Sequence, residues 1–204
     1  MPTEVQLAQA VQDSYLLAPT WERGGFRARF SLVDNHPVIA FPGTRLDDPH
    51  DILTDIEAVP THDRDLGWCH SGFLAGARAL YPLLGLPHMV QPIFVGHSMG
   101  AAIALLVAAR ARLDWHEPRE VVTFGAPRTG GLTLSATLRG LPIRMYRNGN
   151  DPVPSVPWHF LGLYCHPRAL IQVGTAKRDP IMCHLLSSYQ QVLQSYLEDF
   201  RWVR

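Results

Sequence analysis

An α/β layered fold, with a mainly parallel central sheet flanked by helices, is predicted by three observations. Short apolar runs of strand length alternate with longer stretches of helical period. The run Pro92-Ile93-Phe94-Val95 stops at Gly96-His97-Ser98-Met99-Gly100 and passes into the alanine- and leucine-rich stretch Ala101 to Arg110. No internal repeat, low-complexity tract or long linker breaks the pattern. The 204 residues suffice for a substantial core, and residues 1–204 are expected to fold as a single domain.

The elements follow in order. Thr3 with Gln6 has the form of a capping box, and Leu7, Val11 and Tyr15 recur at helical spacing, so a helix of about four turns opens the chain. Phe26 to Val33 alternates as a strand does, Asp34-Asn35-His36-Pro37 turns the chain, and Val38 to Phe41 is a second strand. Pro42 to Gly67 is polar and turn-rich, interrupted by Ile52, Leu53, Ile56 and Val59 on one helical face. Ser71 to Leu84 reads as a helix capped by Ser71 and stopped by Gly85. Val121 to Phe124, Leu141 to Tyr146 and Ala169 to Val173 supply further strands. His184 to Trp202 closes the chain as a helix, with Leu185, Tyr189, Val192, Tyr196 and Phe200 on one side.

Composition excludes several classes of function. Basic and acidic residues balance at 18 each, with no block of one sign, which argues against nucleic acid as the main partner. Nothing reaches the roughly 18–20 apolar residues that span a bilayer, so no transmembrane segment is expected. Met1 to Ala8 lacks the basic start and apolar core of a secretory leader. A cytoplasmic chain is the default expectation, with secretion by another route the alternative. The three cysteines, Cys69, Cys165 and Cys183, are odd in number and lack metal-ligand spacing. Free thiols are expected, with a Cys165–Cys183 bridge as the alternative.

The chemistry centres on Gly96-His97-Ser98-Met99-Gly100, a G-x-S-x-G motif at a strand-to-helix turn. Such a turn presents a serine as a nucleophile, and glycine on both sides lets strand and helix approach closely. A plain helix cap at Ser98 would not require both glycines. A serine hydroxyl needs a base, and the base an orienting acid. Asp151 follows the strand ending near Tyr146, and Pro152 and Pro154 stiffen its loop. A turn aspartate bonding its own backbone is the alternative reading of Asp151. His184 lies beyond the last strand at a strand–helix junction and is the expected base; His159 and His166 come before that strand. The oxyanion of an acyl-transfer intermediate needs two N–H donors. The amide of Met99, directly after the serine, and that of Thr44, in the loop Phe41-Pro42-Gly43-Thr44, fit that need.

Five blocks in this order resemble the class 3, fungal-type lipases. They are Ile39 to Thr44, His70-Ser71-Gly72-Phe73, Gly96 to Gly100, Thr123 to Gly130, and Asn150 to Pro154. The resemblance runs from about residue 38 to 190. It implies an α/β-hydrolase fold, hydrolysis of acylglycerol or related carboxylic esters, and no metal or organic cofactor. Its triad falls on Ser98, Asp151 and His184, and its oxyanion donors on Thr44 and Met99. It makes His70 and His97 supporting residues behind the nucleophile. Two positions depart from the family's usual pattern: Pro42 stands where arginine is common, and Cys183 where aspartate often precedes the histidine.

The resemblance also suggests a lid over Asp51 to Val59, with Ile52, Leu53, Ile56 and Val59 as its apolar face; plain core is the other reading. Trp158 and Phe160 belong to an apolar segment that either lines an acyl pocket, grips an interface or forms a buried hairpin. The expected function is a triacylglycerol lipase acting on a lipid or other ester substrate, at a lipid–water interface. The alternatives are a soluble short-chain or feruloyl-type esterase, a phospholipase A1, or a ligand-binding scaffold without activity. The oligomeric state is not readable from the sequence.

Overall fold

The reciprocal cap between Thr3 and Gln6 forms, and helix α1 (Glu4–Leu16) follows from it. Such a cap is worth about 1 kcal/mol. The structure is a computed structural model that describes residues 1–44, 50, 59–158 and 162–201.

After α1 the chain makes β1 (Trp21–Arg23), β2 (Phe26–Val33) and β3 (His36–Phe41). Asp34 and Asn35 form the tight turn between β2 and β3, at φ +47° and +60°. These are the residue types that tolerate the left-handed region. A two-stranded hairpin follows, β4 (Pro60–Asp63) and β5 (Gly67–His70). Helix α2 (Ser71–Leu80), β6 (Ile93–His97), α3 (Met99–Leu113) and β7 (Glu120–Phe124) come next. The chain then forms α4 (Leu132–Thr137), β8 (Ile143–Asn148), β9 (Ile171–Val173), α5 (Ile181–His184) and α6 (Leu186–Arg201).

Among the described residues the main sheet runs in the order β1-β2-β3-β6-β7-β8-β9. The first two pairings are antiparallel and the other four parallel. Two apolar cores cover its faces. One packs α2 and α3 against Ile39, Phe41, Phe94 and Val121. The other packs α1 and α6 against Val38, Val95, Val122 and Phe124. Alternate residues of one strand thus enter opposite cores, as the pleat requires. Helix α3 is buried nearly all round, which explains its uninterrupted alanine and leucine content.

The structure corrects several sequence expectations. Ser71 does not cap α2; His70 occupies the flanking position, and no side chain caps the helix. The polar text before Gly67 hides the β4–β5 hairpin, whose residues are too polar to read as strands. Strand β1 and helix α4 are short enough to escape periodicity. The closing helix is divided, because Leu185 takes an extended conformation (φ −57°, ψ 133°) between α5 and α6. All three cysteines are free, so Cys165 and Cys183 are not bridged. No described helix is long and apolar enough to cross a membrane.

Candidate active site

Ser98, Asp151 and His184 all lie beyond the carboxyl ends of parallel strands, where sheets of this type hold their sites. Ser98 joins β6 to α3 at φ +55° and ψ −129°. A side chain held there costs on the order of 1–3 kcal/mol. Its own N–H anchors the turn by donating to the Phe124 carbonyl at 3.0 Å. The flanking glycines are required by contact. A Cβ on Gly96 would stand 2.6 Å from the Gly100 carbonyl oxygen, and one on Gly100 would stand 2.2 Å from the Phe41 oxygen. Gly100 thereby lets β3 and its loop lie directly against the serine turn.

Asp151 leaves β8 through a turn closed by its N–H on the Asn148 carbonyl. The carboxylate is fully buried and accepts bonds from three directions. His184 Nδ1 lies 3.0 and 2.9 Å from its two oxygens, the Tyr189 hydroxyl donates at 2.6 Å, and the Val153 N–H donates at 2.9 Å. Burial alone would raise the Asp151 pKa, but the bonds from His184, Tyr189 and Val153 outweigh it and hold the group below the ordinary value of 3.8. The carboxylate can only accept, so Nδ1 of His184 carries a proton. Arg128 secures the loop that follows Asp151, donating from its side chain to the carbonyls of Ser155 and Pro157.

His184 ends the four-residue helix α5 and is 3% exposed. Asn148 Nδ2 holds the preceding Cys183 carbonyl at 3.1 Å, and His97 Nε2 donates to the His184 carbonyl at 2.7 Å. Gly125, at φ +60°, leaves the space the imidazole uses: a Cβ there would stand 2.8 Å from the His184 ring and 2.9 Å from the Asp151 carboxylate. Ser98 Oγ and His184 Nε2 are buried, and neither has a hydrogen-bond partner among the described residues. Nucleophile–base bonds are often long before substrate enters.

The loop after β3 closes the site. A Cβ on Gly43 would lie 2.9 Å from the Ser98 Cβ, so backbone replaces side chain directly over Ser98. Thr44 Oγ1 reaches the Met99 sulfur at 3.6 Å, bringing the two expected oxyanion residues together. A cavity of about 260 Å³ opens beside them, walled by Phe26, Arg27, Pro42, Thr44, Met99 and Ile103.

His97 packs under the serine turn, with Tyr15 at 2.8 Å on its Nδ1. His70 is buried and stacks on Phe73, ring centres 3.9 Å apart. Val59 is 51% exposed, immediately before β4; Ile52, Leu53 and Ile56 lie outside the described residues. Trp158 is 85% exposed, and Phe160 lies outside the described residues. Sequence reasoning missed Tyr15 and Tyr189, which it placed on apolar helix faces. Their hydroxyls were the available signal, because a buried tyrosine oxygen needs a polar partner.

A family profile described as lipase (class 3) matches residues 38–160. Lipase A of Sodiomyces alcalophilus is 34% identical over 153 residues, covering 61% of this chain and 36% of that protein. Toxin TseL of Vibrio cholerae is 36% identical over 115 residues, covering 52% of this chain and 18% of that protein. Secreted mono- and diacylglycerol lipase MDL4 of Malassezia globosa is 42% identical over 84 residues, covering 39% of this chain and 27% of that protein. The chain therefore spans about a third or less of the length of these relatives. Among solved structures, Rhizomucor miehei lipase in its propeptide complex superposes with a TM-score of 0.70 at 19% identity, covering 83% of this chain and 66% of that one. The lipase of Rhizopus microsporus var. chinensis gives 0.67 at 19%, covering 86% and 75%. The fold is the α/β-hydrolase fold of these lipases.

These relatives correct the expectation of a cytoplasmic chain. Several fungal relatives are named as secreted lipases. The first residues fold as a capped helix, and an amphipathic helix start carries no information about compartment.

Proposed function

The chain belongs to the class 3 lipase family, and from that premise we propose that it is a serine hydrolase of lipid carboxylic esters, of the triacylglycerol lipase type. The observation that carries the reading is the contact of His184 Nδ1 with both Asp151 oxygens, formed behind a serine in the strained turn after β6. His184 Nε2 takes the proton of Ser98 as Oγ attacks the ester carbonyl. Asp151 keeps the ring in the required tautomer and stabilises its charged form. The amides of Thr44 and Met99 receive the oxyanion. Collapse of the intermediate expels the alcohol, which takes the proton from His184. Water, deprotonated by His184, then cleaves the acyl-serine.

A lipid–water interface as the working surface is supported by apolar residues exposed at the same end of the sheet. Leu132, beyond β7, is 70% exposed, and Trp158, beyond β8, is 85% exposed. A phospholipase A1 reading rests on one relative of that name from Oryza sativa, 38% identical over 77 residues.

The test is turnover of a p-nitrophenyl ester and labelling by a fluorophosphonate probe. The wild type is expected to turn over the ester and to be labelled at Ser98, and Ser98→Ala to do neither while keeping its fold. Labelling elsewhere, or unchanged turnover in Ser98→Ala, would refute the reading. Emulsified triacylglycerol, a soluble short-chain ester and phosphatidylcholine then rank the substrate classes.

A further inference from the structure

We propose that Tyr15 is a positioning residue, which with His97 forms a one-way hydrogen-bond relay from the oxyanion loop at Gly43 to the backbone of the base at His184. The proposal deepens the catalytic reading above and rests on it. Three contacts make the path. The Gly43 N–H donates to the Tyr15 hydroxyl oxygen at 2.6 Å, that oxygen lies 2.8 Å from His97 Nδ1, and His97 Nε2 lies 2.7 Å from the His184 carbonyl oxygen.

The direction of every bond is fixed by elementary donor and acceptor rules. A carbonyl oxygen only accepts, so His97 Nε2 carries a proton. His97 is buried beneath the serine turn, faced by Tyr15 from α1, His184 from α5, Tyr189 from α6 and Asp151 from the loop after β8. Burial, reinforced by the neighbouring His184, pushes its pKa down from 6.5 to about 3, so the ring is neutral and Nδ1 is bare. The Tyr15 hydroxyl must therefore donate to Nδ1, which leaves its oxygen to accept the Gly43 N–H.

The relay joins parts of the site that the chain supplies from distant positions. Tyr15 and His97 are 82 residues apart, and His97 and His184 are 87 apart. Pro42 has no N–H, so the Gly43 amide is the first donor of the loop, directly ahead of Thr44. A Cβ on Gly43 would stand 2.6 Å from the Tyr15 oxygen and 2.9 Å from the Ser98 Cβ. Loop, hydroxyl and nucleophile are thus packed without slack, and a shift of Gly43 carries the Thr44 amide with it. In this role Tyr15 acts through Gly43 and sets where the oxyanion is received.

The test compares full-length wild type with Tyr15→Phe on p-nitrophenyl butyrate. The expected result is a kcat lowered tenfold or more with KM within twofold. Inhibition by an alkyl trifluoromethyl ketone, which forms a tetrahedral oxyanion on the serine, should weaken by a similar factor. Unchanged kcat and unchanged inhibition would overturn the proposal. Should Tyr15→Phe fail to fold, histidine-ring nitrogen NMR of the wild type decides. His97 is expected to stay neutral at pH 5 with its proton on Nε2. A His97 that titrates near the ordinary 6.5, or carries its proton on Nδ1, overturns the relay. A wild type that turns over no ester and ignores a fluorophosphonate refutes the catalytic reading instead, and the ring NMR still decides the relay.

Discussion

The imidazole of His184 lies on that of His97, with ring centroids 4.7 Å apart and planes 29° from parallel. The residue before Ser98 therefore forms the floor on which the His184 ring rests. The arrangement works only while the lower ring is neutral. Two imidazolium rings at that distance, both shielded from water, would repel strongly, and in the proposed mechanism His184 carries a proton once per turnover. The hydroxyl of Tyr15 above Nδ1 and the carbonyl on Nε2 suit the neutral form.

Acid should destabilise the fold through His97. Its pKa falls from 6.5 unfolded to about 3 folded. Between those values the unfolded chain takes a proton that the folded chain refuses, so stability is complete above about pH 6.5 and is lost as pH falls toward 3. His166, also lowered by burial, adds to the same trend. Asp151 acts lower still, since its contribution is present above 3.8 and disappears as pH drops through its depressed folded value. Melting temperature against pH should therefore slope less between 6.5 and 4 in His97→Gln than in wild type. Parallel slopes would mean that His97 titrates normally.

Removing the Tyr189 hydroxyl should damage catalysis more than folding. It donates to Asp151 at 2.6 Å and accepts the Asn148 N–H at 3.0 Å. A bond to a charged group is worth about 1.5–3 kcal/mol. If that support is felt mainly as His184 becomes charged, Tyr189→Phe should lower kcat by about 10- to 100-fold with little change in KM. Steady-state kinetics beside a melting curve check this. An equal loss in KM alone would place Tyr189 in substrate binding instead.

The parts of the site legible from sequence are those fixed by backbone rules. Gly96 and Gly100 announced themselves because a side chain does not fit so close a strand–turn–helix approach, and they frame Ser98. Asp151 and His184 followed from strand order. Tyr15 and Tyr189 were hidden because helical periodicity reports which face is buried, not which polar tip that face delivers. The β4–β5 hairpin was hidden because Thr61, His62 and Asp63 carry no apolar alternation, the pairing being set by backbone bonds to Cys69, Trp68 and Gly67.

Two glycine substitutions should separate folding from chemistry. An added Cβ on Gly100 meets backbone, the carbonyl oxygens of Phe41 at 2.2 Å and Pro42 at 2.4 Å, which cannot give way without moving β3. Gly100→Ala should cost several kcal/mol, about the range of severe overpacking, and lower soluble yield. On Gly125 the same Cβ meets the His184 ring, a side chain that can rotate aside. Gly125→Ala should stay folded, with some strain from its φ of +60°, and lose most of its kcat. Circular dichroism and turnover of the two purified variants test the contrast; equal stability would contradict it.

The strain at Ser98 makes a last prediction, about stability rather than rate. The residue sits at φ +55° and ψ −129°, where a Cβ is costly and glycine is not. Its hydroxyl is also buried without a partner among the described residues. Ser98→Ala removes the hydroxyl but keeps the Cβ, so it relieves only the desolvated oxygen. Ser98→Gly relieves the backbone as well, against about 0.5–1 kcal/mol for the extra freedom of an unfolded glycine. The glycine variant should thus exceed the alanine variant by about 0–2 kcal/mol, a rise in melting temperature of up to roughly 4–8 °C for a domain of this size. Both should be inactive toward p-nitrophenyl esters. An alanine variant more stable than the glycine variant would show that strain at the turn is smaller than the about 0.5–1 kcal/mol that an unfolded glycine gains in freedom, and would contradict the prediction.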